Sequence, residues 1–434
     1  MAMAMAATHS GHSSPTIPTS STSSTTSTTP TTILTLEKSQ RGRFRVVSHA
    51  ALRNNLLAAV GYLELGNAGD FAANVWNEIP VPRHAVILMA IGGPIALLVS
   101  LVAARDLYLS WKNVSILYAE RKALLAVTYP DGKTSAVLGV NTRELGTEGI
   151  DRVLMDIFLG FGALLVGVGT IMAIWGADHR VFHASNLLSG FVGNSFAAIF
   201  GVFNAVWSAY LVYRFQVRYK CCNSNPGVQM VRLKLRRRFR MFQWHAVING
   251  ATGLVAGMAS MVTAVMWWGY VVLIPCVATM IAGNLFWRKK LGYDRPIMVN
   301  SVDNIMEGEK NDIDNDRAGE ILDSLASIEA AQSRLHDLAE AGSLNRILCF
   351  LEEQQILEYF CDSITRGWPD HPLFAASDTV TISCDDLKGG TEDEKTRMQQ
   401  ECRQFLSSQA GTLLEHREQY LLELAGEAVW NGSI

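Results

Sequence analysis

Apolar residues along this chain gather in long runs almost uncut by charge, instead of the short alternating clusters that build a water-facing sheet or helix. The first run is AVILMAIGGPIALLVSLVAA at 85–104, the second VLMDIFLGFGALLVGVGTIMAIW at 153–175, and the third covers 186–213. Crossing about 30 Å of hydrocarbon takes roughly 20 helical residues, so each is long enough to span. Residues 246–287 are apolar for 42 positions. One helix of that length would reach about 63 Å, twice the membrane. The run therefore divides into 246–266 and 269–287, about a turn at Trp267-Trp268-Gly269-Tyr270. The pattern predicts an all-α polytopic membrane protein with five transmembrane helices.

The ends of the runs agree. Trp175, Tyr210, Tyr213, Trp244, Trp267, Trp268, Tyr270 and Trp287 fall there, where amphipathic rings favour the headgroup layer. The connection 105–152 carries seven Lys/Arg, the short outer loop one, 214–245 nine with no acid, and the turn near 268 none. Arg288, Lys289, Lys290 and Arg295 then follow the fifth run. By the positive-inside rule the basic connections and the C-terminus are cytosolic, and with five spans the N-terminus is outside. Arg83 and Arg105 balance across the first run, so an N-terminus inside with four or six spans is the rival. The sequons Asn113-Val-Ser115 and Asn431-Gly-Ser433 should carry no glycan if cytosolic.

Composition sharpens this division. Charged residues make up 18% of the chain, against about 25% in soluble domains. The total charge of −3 conceals +14 over residues 1–296 and −17 over 297–434, as expected for parts in different electrical surroundings. Seven cysteines without a CxxC pair argue against a disulfide framework or zinc ribbon. Residues 1–45 are dominated by Ser, Thr and Pro and are expected to be a disordered tail; 46–84 form an amphipathic pre-membrane segment. No secretory signal is evident, and the expected site is the plasma membrane or an endomembrane. The mitochondrial inner membrane is the alternative, since no acid precedes Glu37.

Outside the membrane, ALLAVTYPDGKTSAVLGV within the 105–152 loop predicts a small cytosolic β-hairpin turning at Pro130-Asp131-Gly132-Lys133. DTVTISCDD at 378–386 is a strand that could join it in one sheet. In 214–245, Val228, Val231, Leu235, Phe239 and Phe242 follow helical spacing, with Arg232, Lys234, Arg236, Arg237, Arg238 and Arg240 on the remainder. That predicts a basic amphipathic helix lying on an anionic leaflet, the basic residues being lipid- or anion-binding; membrane anchoring accounts for the charge without nucleic acid. Cys221 and Cys222, near the end of the third run, are palmitoylation candidates. The acidic segment 297–434 reads as a cytosolic helical domain: helices at about 317–341 and 344–366, then one from a capping box at Thr391 and Glu394 to about Val429. Their apolar faces should bundle or pair with a partner in coiled-coil fashion.

The third span places Ser185, Ser189, Gly193, Ala197, Gly201, Ala205 and Ala209 four apart. Such a ridge lets another backbone approach closely. Gly253 and Gly257 in the fourth span match it. Packing within one chain is the simpler reading, and homo-oligomerisation through this face the alternative. Asn194, Asn204 and Asn249 are interhelical partners or, if the chain transports a solute, the lining of a path. His179 and His183, beside Asp178 on the outer loop, are weak metal candidates lacking evident further ligands. Asp312, Asp314, Asp316 and Asp323 have calcium-loop spacing, but Arg317 replaces the turn glycine. No catalytic motif or cofactor-binding loop is found.

The expected function is a non-enzymatic integral membrane scaffold or adaptor. Its acidic domain would engage a protein partner, and its basic loop anionic lipid. The tail would dock on 214–245 in competition with lipid, and its release would expose apolar faces to the partner. A small-solute transporter or channel, and an accessory enzyme of a lipid or natural-product pathway, are the alternatives.

Overall fold

The computed structural model describes residues 34–38, 44–46, 51–53, 62–76, 79–126, 132–297, 317–368 and 379–432. Short helices α1 (Leu63–Asn67) and α2 (Phe71–Val75) precede α3 (Arg83–Ala126). Next come α4 (Gly132–Thr147), a wider π-helical turn at Glu148–Leu154, and α5 (Met155–Ala173). α6 (His179–Ser185) continues through a second π segment into α7 (Asn194–Ser224); α8 (Arg232–Thr263) and α9 (Gly269–Phe286) follow. The rods Arg83–Ala126, Thr134–Ala173, His179–Ser224, Arg232–Thr263 and Gly269–Leu291 are the five helices long and apolar enough to cross a membrane among the described residues. Their apolar side chains are widely exposed, Ile87, Leu98, Leu101, Phe203 and Val206 among them, as a lipid-facing surface requires.

The rods outlast the membrane. At 1.5 Å per residue the 44 residues of α3 reach about 66 Å. Where a β-hairpin was expected, α3 and α4 instead form an antiparallel helical hairpin. Asn141 Nδ2 bonds the Leu117 carbonyl (3.0 Å) and Glu120 (2.8 Å), and Arg121 bonds Thr142 (2.8 Å). Asp106, Ser110, Asn113, Leu117, Glu120 and Leu124 make the buried stripe of α3. Their spacing of three and four is helical, and the segment's partner is another helix. The reversal at 127–131 lies outside the described residues.

The pre-membrane segment does not stop short of the bundle. Leu63 clusters with Ala103, Leu159 and Phe200, and Ala72 and Ala73 with Ala85 and Met89. The Trp76 ring meets His84 at 4.9 Å. Residues 63–76 thus run antiparallel along the apolar half of α3 as a broken helical segment packed within the bundle. Gly69 and Gly92 make the close approach: a Cβ on Gly92 would lie 2.6 Å from the Gly69 carbonyl oxygen. At the far end, buried Asp70 accepts from the Tyr270 hydroxyl (2.8 Å), Asn74 (2.8 Å) and Asn194 (3.2 Å). Strand β1 (Leu34–Lys38) pairs antiparallel with β2 (Phe44–Val46) and with β5 (Thr379–Ile382) from the C-terminal part; β3 (Ala51–Leu52) pairs with β4 (Arg295–Pro296). Strands from residues 34–52 therefore lie beside the C-terminal part of the chain. The expected disordered tail yields at its end to β1, and the strand expected near 378–386 takes β1 as partner.

Within the bundle, the fourfold ridge of α7 serves two neighbours. The Ser185 hydroxyl bonds the Gly169 carbonyl (2.8 Å), and Gly193 abuts Val166 of α5. Ala197 and Gly201 meet α8: a Cβ on Gly201 would lie 2.5 Å from the Gly253 carbonyl, and one on Gly257 2.9 Å from that of Ala197. Beyond Gly201 the buried positions become Asn204 and Ser208, while Ala205 is half-buried and Ala209 exposed. A row of every fourth residue advances about 40° per step around a 3.6-residue helix, so it leaves the contact. Of the end aromatics, Trp175, Tyr213, Trp244, Trp267 and Trp268 are exposed, whereas Tyr270 and Trp287 are buried.

The C-terminal part comprises α10 (Arg317–Ala341), α11 (Leu344–Glu353), α12 (Leu357–Gly367), α13 (Glu392–Phe405) and α14 (Gly411–Trp430), a π turn joining the last two. The Thr391/Glu394 capping box opens α13. Ile347, Leu351, Phe360, Met398, Cys402 and Phe405 form one core, which Leu36 of β1 joins.

Candidate functional site

The apolar face at 228–242 does not lie on lipid. α8 continues straight out of the bundle, and Leu235, Phe239 and Phe242 pack with Leu424, Ala425 and Ala428 of α14 and with Ile321 and Leu325 of α10. Around this apolar contact sits a set of buried ion pairs. Glu423 of α14, 4% exposed, accepts from Arg143 of α4 at 2.6 Å and from Arg238 of α8 at 2.8 Å. Burial opposes its charge, yet the two guanidiniums outweigh that and hold its carboxyl below the ordinary glutamate value. The Tyr293 hydroxyl accepts from Arg143 (2.8 Å) and donates to Glu144 (2.9 Å). Arg295 forks onto Glu144 (3.0 and 2.5 Å) and Glu120 (2.8 and 2.7 Å). Glu427 takes Arg214 at 2.8 Å and also Arg218. Lys234 reaches Glu418 (2.8 Å) and Glu329 (3.1 Å) at the more exposed rim.

Forked guanidinium–carboxylate pairs fix orientation as well as distance. Here they join four parts of the chain: the α3–α4 hairpin, the outer ends of α7 and α8, the 293–295 segment, and α14. The junction is therefore an interlock whose members come from residues up to 280 apart in sequence. Deeper in the bundle, Arg152 pairs with Asp106 (3.0 Å) and Glu148 (2.9 Å), and Asn113 donates to Glu148 (3.3 Å) and to the Arg53 carbonyl (2.8 Å).

The candidates from the sequence separate by place. Of the six basic residues, Arg238 is buried in the interlock and Lys234 engaged at its rim. Arg232 bonds the Asn225 carbonyl (3.0 Å), and Arg236, Arg237 and Arg240 are exposed. Cys221 is half-buried, and Cys222 is buried in the junction core. Of the two palmitoylation candidates, Cys221 is thus the more accessible thiol. His179 and His183 stand 3.1 Å apart between their Nε2 atoms on α6, but Asp178 caps that helix by accepting from the Arg180 amide (2.8 Å). No group of three His, Cys, Asp or Glu able to hold a metal occurs among the described residues. Asp312, Asp314 and Asp316 lie outside the described residues, and Asp323 is within α10.

Asn204 and Asn249 bond each other (2.9 Å), and Asn194 accepts from Ser260 (3.2 Å) while donating to Asp70. Both arrangements join helices. The Asn113 sequon is inside α3 with its amide occupied, so a glycan is excluded there on either side of a membrane; only exposed Asn431 can report sidedness.

Sequence reasoning missed Glu120, Glu144, Glu423 and Glu427 as partners. Their helical spacing, Glu423 to Glu427 on one face and Glu120 opposite Glu144 across a reversal, was the available signal. No protein-family model matches the chain, and neither a curated protein nor a solved structure matches it.

Proposed function

We propose that this chain is an integral membrane scaffold: the bundle anchors it, and the C-terminal helical domain, held rigidly on that anchor, offers its outer faces to a protein partner. The observation that carries this reading is Glu423, buried between Arg143 and Arg238, because a domain locked by desolvated ion pairs to two other elements cannot swivel on a flexible linker. Releasing α14 would strand several buried guanidiniums, so docking is a fixed joint and not a switch competing with lipid. Exposed Arg236, Arg237 and Arg240, with Arg288, Lys289 and Lys290 nearby, support a cytosolic tail through the positive-inside rule and would touch anionic headgroups.

Crosslinking with mass spectrometry in native membranes tests the proposal. Lys388 and Lys395 of the C-terminal domain should crosslink to one other polypeptide at near-stoichiometric yield. Crosslinks from these lysines confined to the chain itself would overturn it. A transport reading draws its support from a different place, the internal chamber considered next.

A further inference from the structure

Between α1, the π turn at 148–154, α7, α8 and α9 lies a cavity of about 70 Å³. A water occupies roughly 10–15 Å³ on this measure, so the space holds a handful of waters or one small ion with part of its shell. It sits in the half of the bundle nearer the tail. Its walls include the carboxylates of Glu64, Glu148 and Asp151, a single guanidinium from Arg152, and the amides of Asn249 and Asn284.

Most donors there are engaged. Arg152 serves Asp106 and Glu148 through its terminal nitrogens, Asn249 Nδ2 serves Asn204, and His245 is engaged with the Gly283 backbone. Apart from Arg152 Nε, the chamber atoms without a hydrogen-bond partner are oxygens. Thr147 Oγ1 and Asn284 Oδ1 are buried with no hydrogen-bond partner, and Asp151, beside the Trp207 indole, keeps Oδ1 without one. Thr147 is only 8% exposed. The π turn that follows it departs from α-helical geometry where these side chains enter the chamber; such bulges recur at functional sites. A buried oxygen with no donor to face is a standing cost unless something electropositive occupies the space.

We propose that this chamber binds one small monovalent cation, an alkali-metal ion or ammonium, through the oxygens of Thr147, Asp151 and Asn284. A divalent ion would call for several converging carboxylates, and no trio of acidic, His or Cys side chains close enough for a metal exists among the described residues. The inference goes beyond the scaffold reading and does not depend on it.

Thermal unfolding of the full-length protein in nanodiscs tests it. The chloride salts of lithium, sodium, potassium and ammonium are compared with choline at equal ionic strength. One small cation should raise Tm saturably, by about 1–2 °C at ten times its Kd, and which one does so separates the alkali ions from ammonium. Asp151→Asn and Thr147→Val should each weaken that midpoint at least tenfold. Should Asp151→Asn fail to fold, Thr147→Val, which leaves every charge in place, carries the comparison. Equal Tm in all five salts, or a cation response unchanged in the variants, overturns the proposal.

Discussion

The junction and the chamber are both buried and rich in carboxylates, but they are finished differently. At the junction Glu120, Glu144, Glu423 and Glu427 are met by Arg143, Arg214, Arg218, Arg238 and Arg295. The chamber wall holds Glu64, Glu148, Asp151 and Arg152, and oxygens of Thr147 and Asn284 have no hydrogen-bond partner there. At the junction each carboxylate meets a guanidinium placed by a different element, which makes a joint. In the chamber, oxygens such as those of Thr147 and Asn284 face no donor, which leaves a place for something the chain does not itself supply. The lesson is that burial of charge alone does not distinguish structure from binding; what faces each buried oxygen does.

The comparison breaks most visibly at Glu423. Replacing it with Ala leaves Arg143 and Arg238 buried without their carboxylate, at an expected cost of about 3–5 kcal/mol. Limited proteolysis in detergent should then cut the C-terminal domain while the bundle survives. An unchanged digestion pattern would mean that the junction is not the joint it resembles.

Acid should loosen the same joint. Because the carboxyl of Glu423 is held below its ordinary value of 4.5, its contribution is fully present above that pH and is lost as pH falls through the lower, folded value. Hydrogen exchange in α14 should therefore be steady from pH 7 to 5 after correction for intrinsic rates, and should accelerate only in stronger acid. Acceleration already near pH 6 would contradict the assigned pairing.

The chamber predicts a smaller effect of opposite sign. In choline chloride, Thr147→Val removes a buried hydroxyl that has no partner, so stability should stay within about 1 kcal/mol of the parent or rise. A fall comparable to that of Glu423→Ala would place Thr147 among the structural residues. Calorimetric or fluorescence melts of the two variants side by side give the answer.

The smallest effect concerns reactivity and not stability. Cys349 is exposed, while burial pushes the Cys361 thiol up to about 12 and that of Cys384 up to about 11; Cys402 is raised as well. A maleimide at pH 7 should label Cys349 quickly and these three only after unfolding. Rapid labelling of Cys402 in the Glu423→Ala variant would show that the tail core itself depends on the joint.

Much of the bundle was legible because lipid imposes a simple demand, a long apolar run. What escaped was wherever that demand is relaxed. The bundle segment at 63–76 carries Glu64 and Asp70, which interrupt its hydropathy, and the Asp70 contacts with Tyr270, Asn74 and Asn194 explain how that acid is tolerated there. The outer half of α3 hid for a related reason: four of the six residues in its buried stripe are polar, and the β-branched residues after it suggested strands. The apolar positions 228–242 were readable as a face that must be covered. Periodicity shows that a face needs cover, but not whether lipid or α14 supplies it.

The pairing of β1 with β5 carries a consequence for synthesis. Leu34 and its partner Ile382 are separated by nearly the whole chain, including every apolar rod. At about 5–20 residues per second, β1 leaves the ribosome roughly 17–70 s before its neighbour exists. Through that interval the nascent N-terminus must remain on the face where the tail will emerge, tethered beside the insertion machinery with an open strand edge. A transcript truncated before residue 379 would never close that edge.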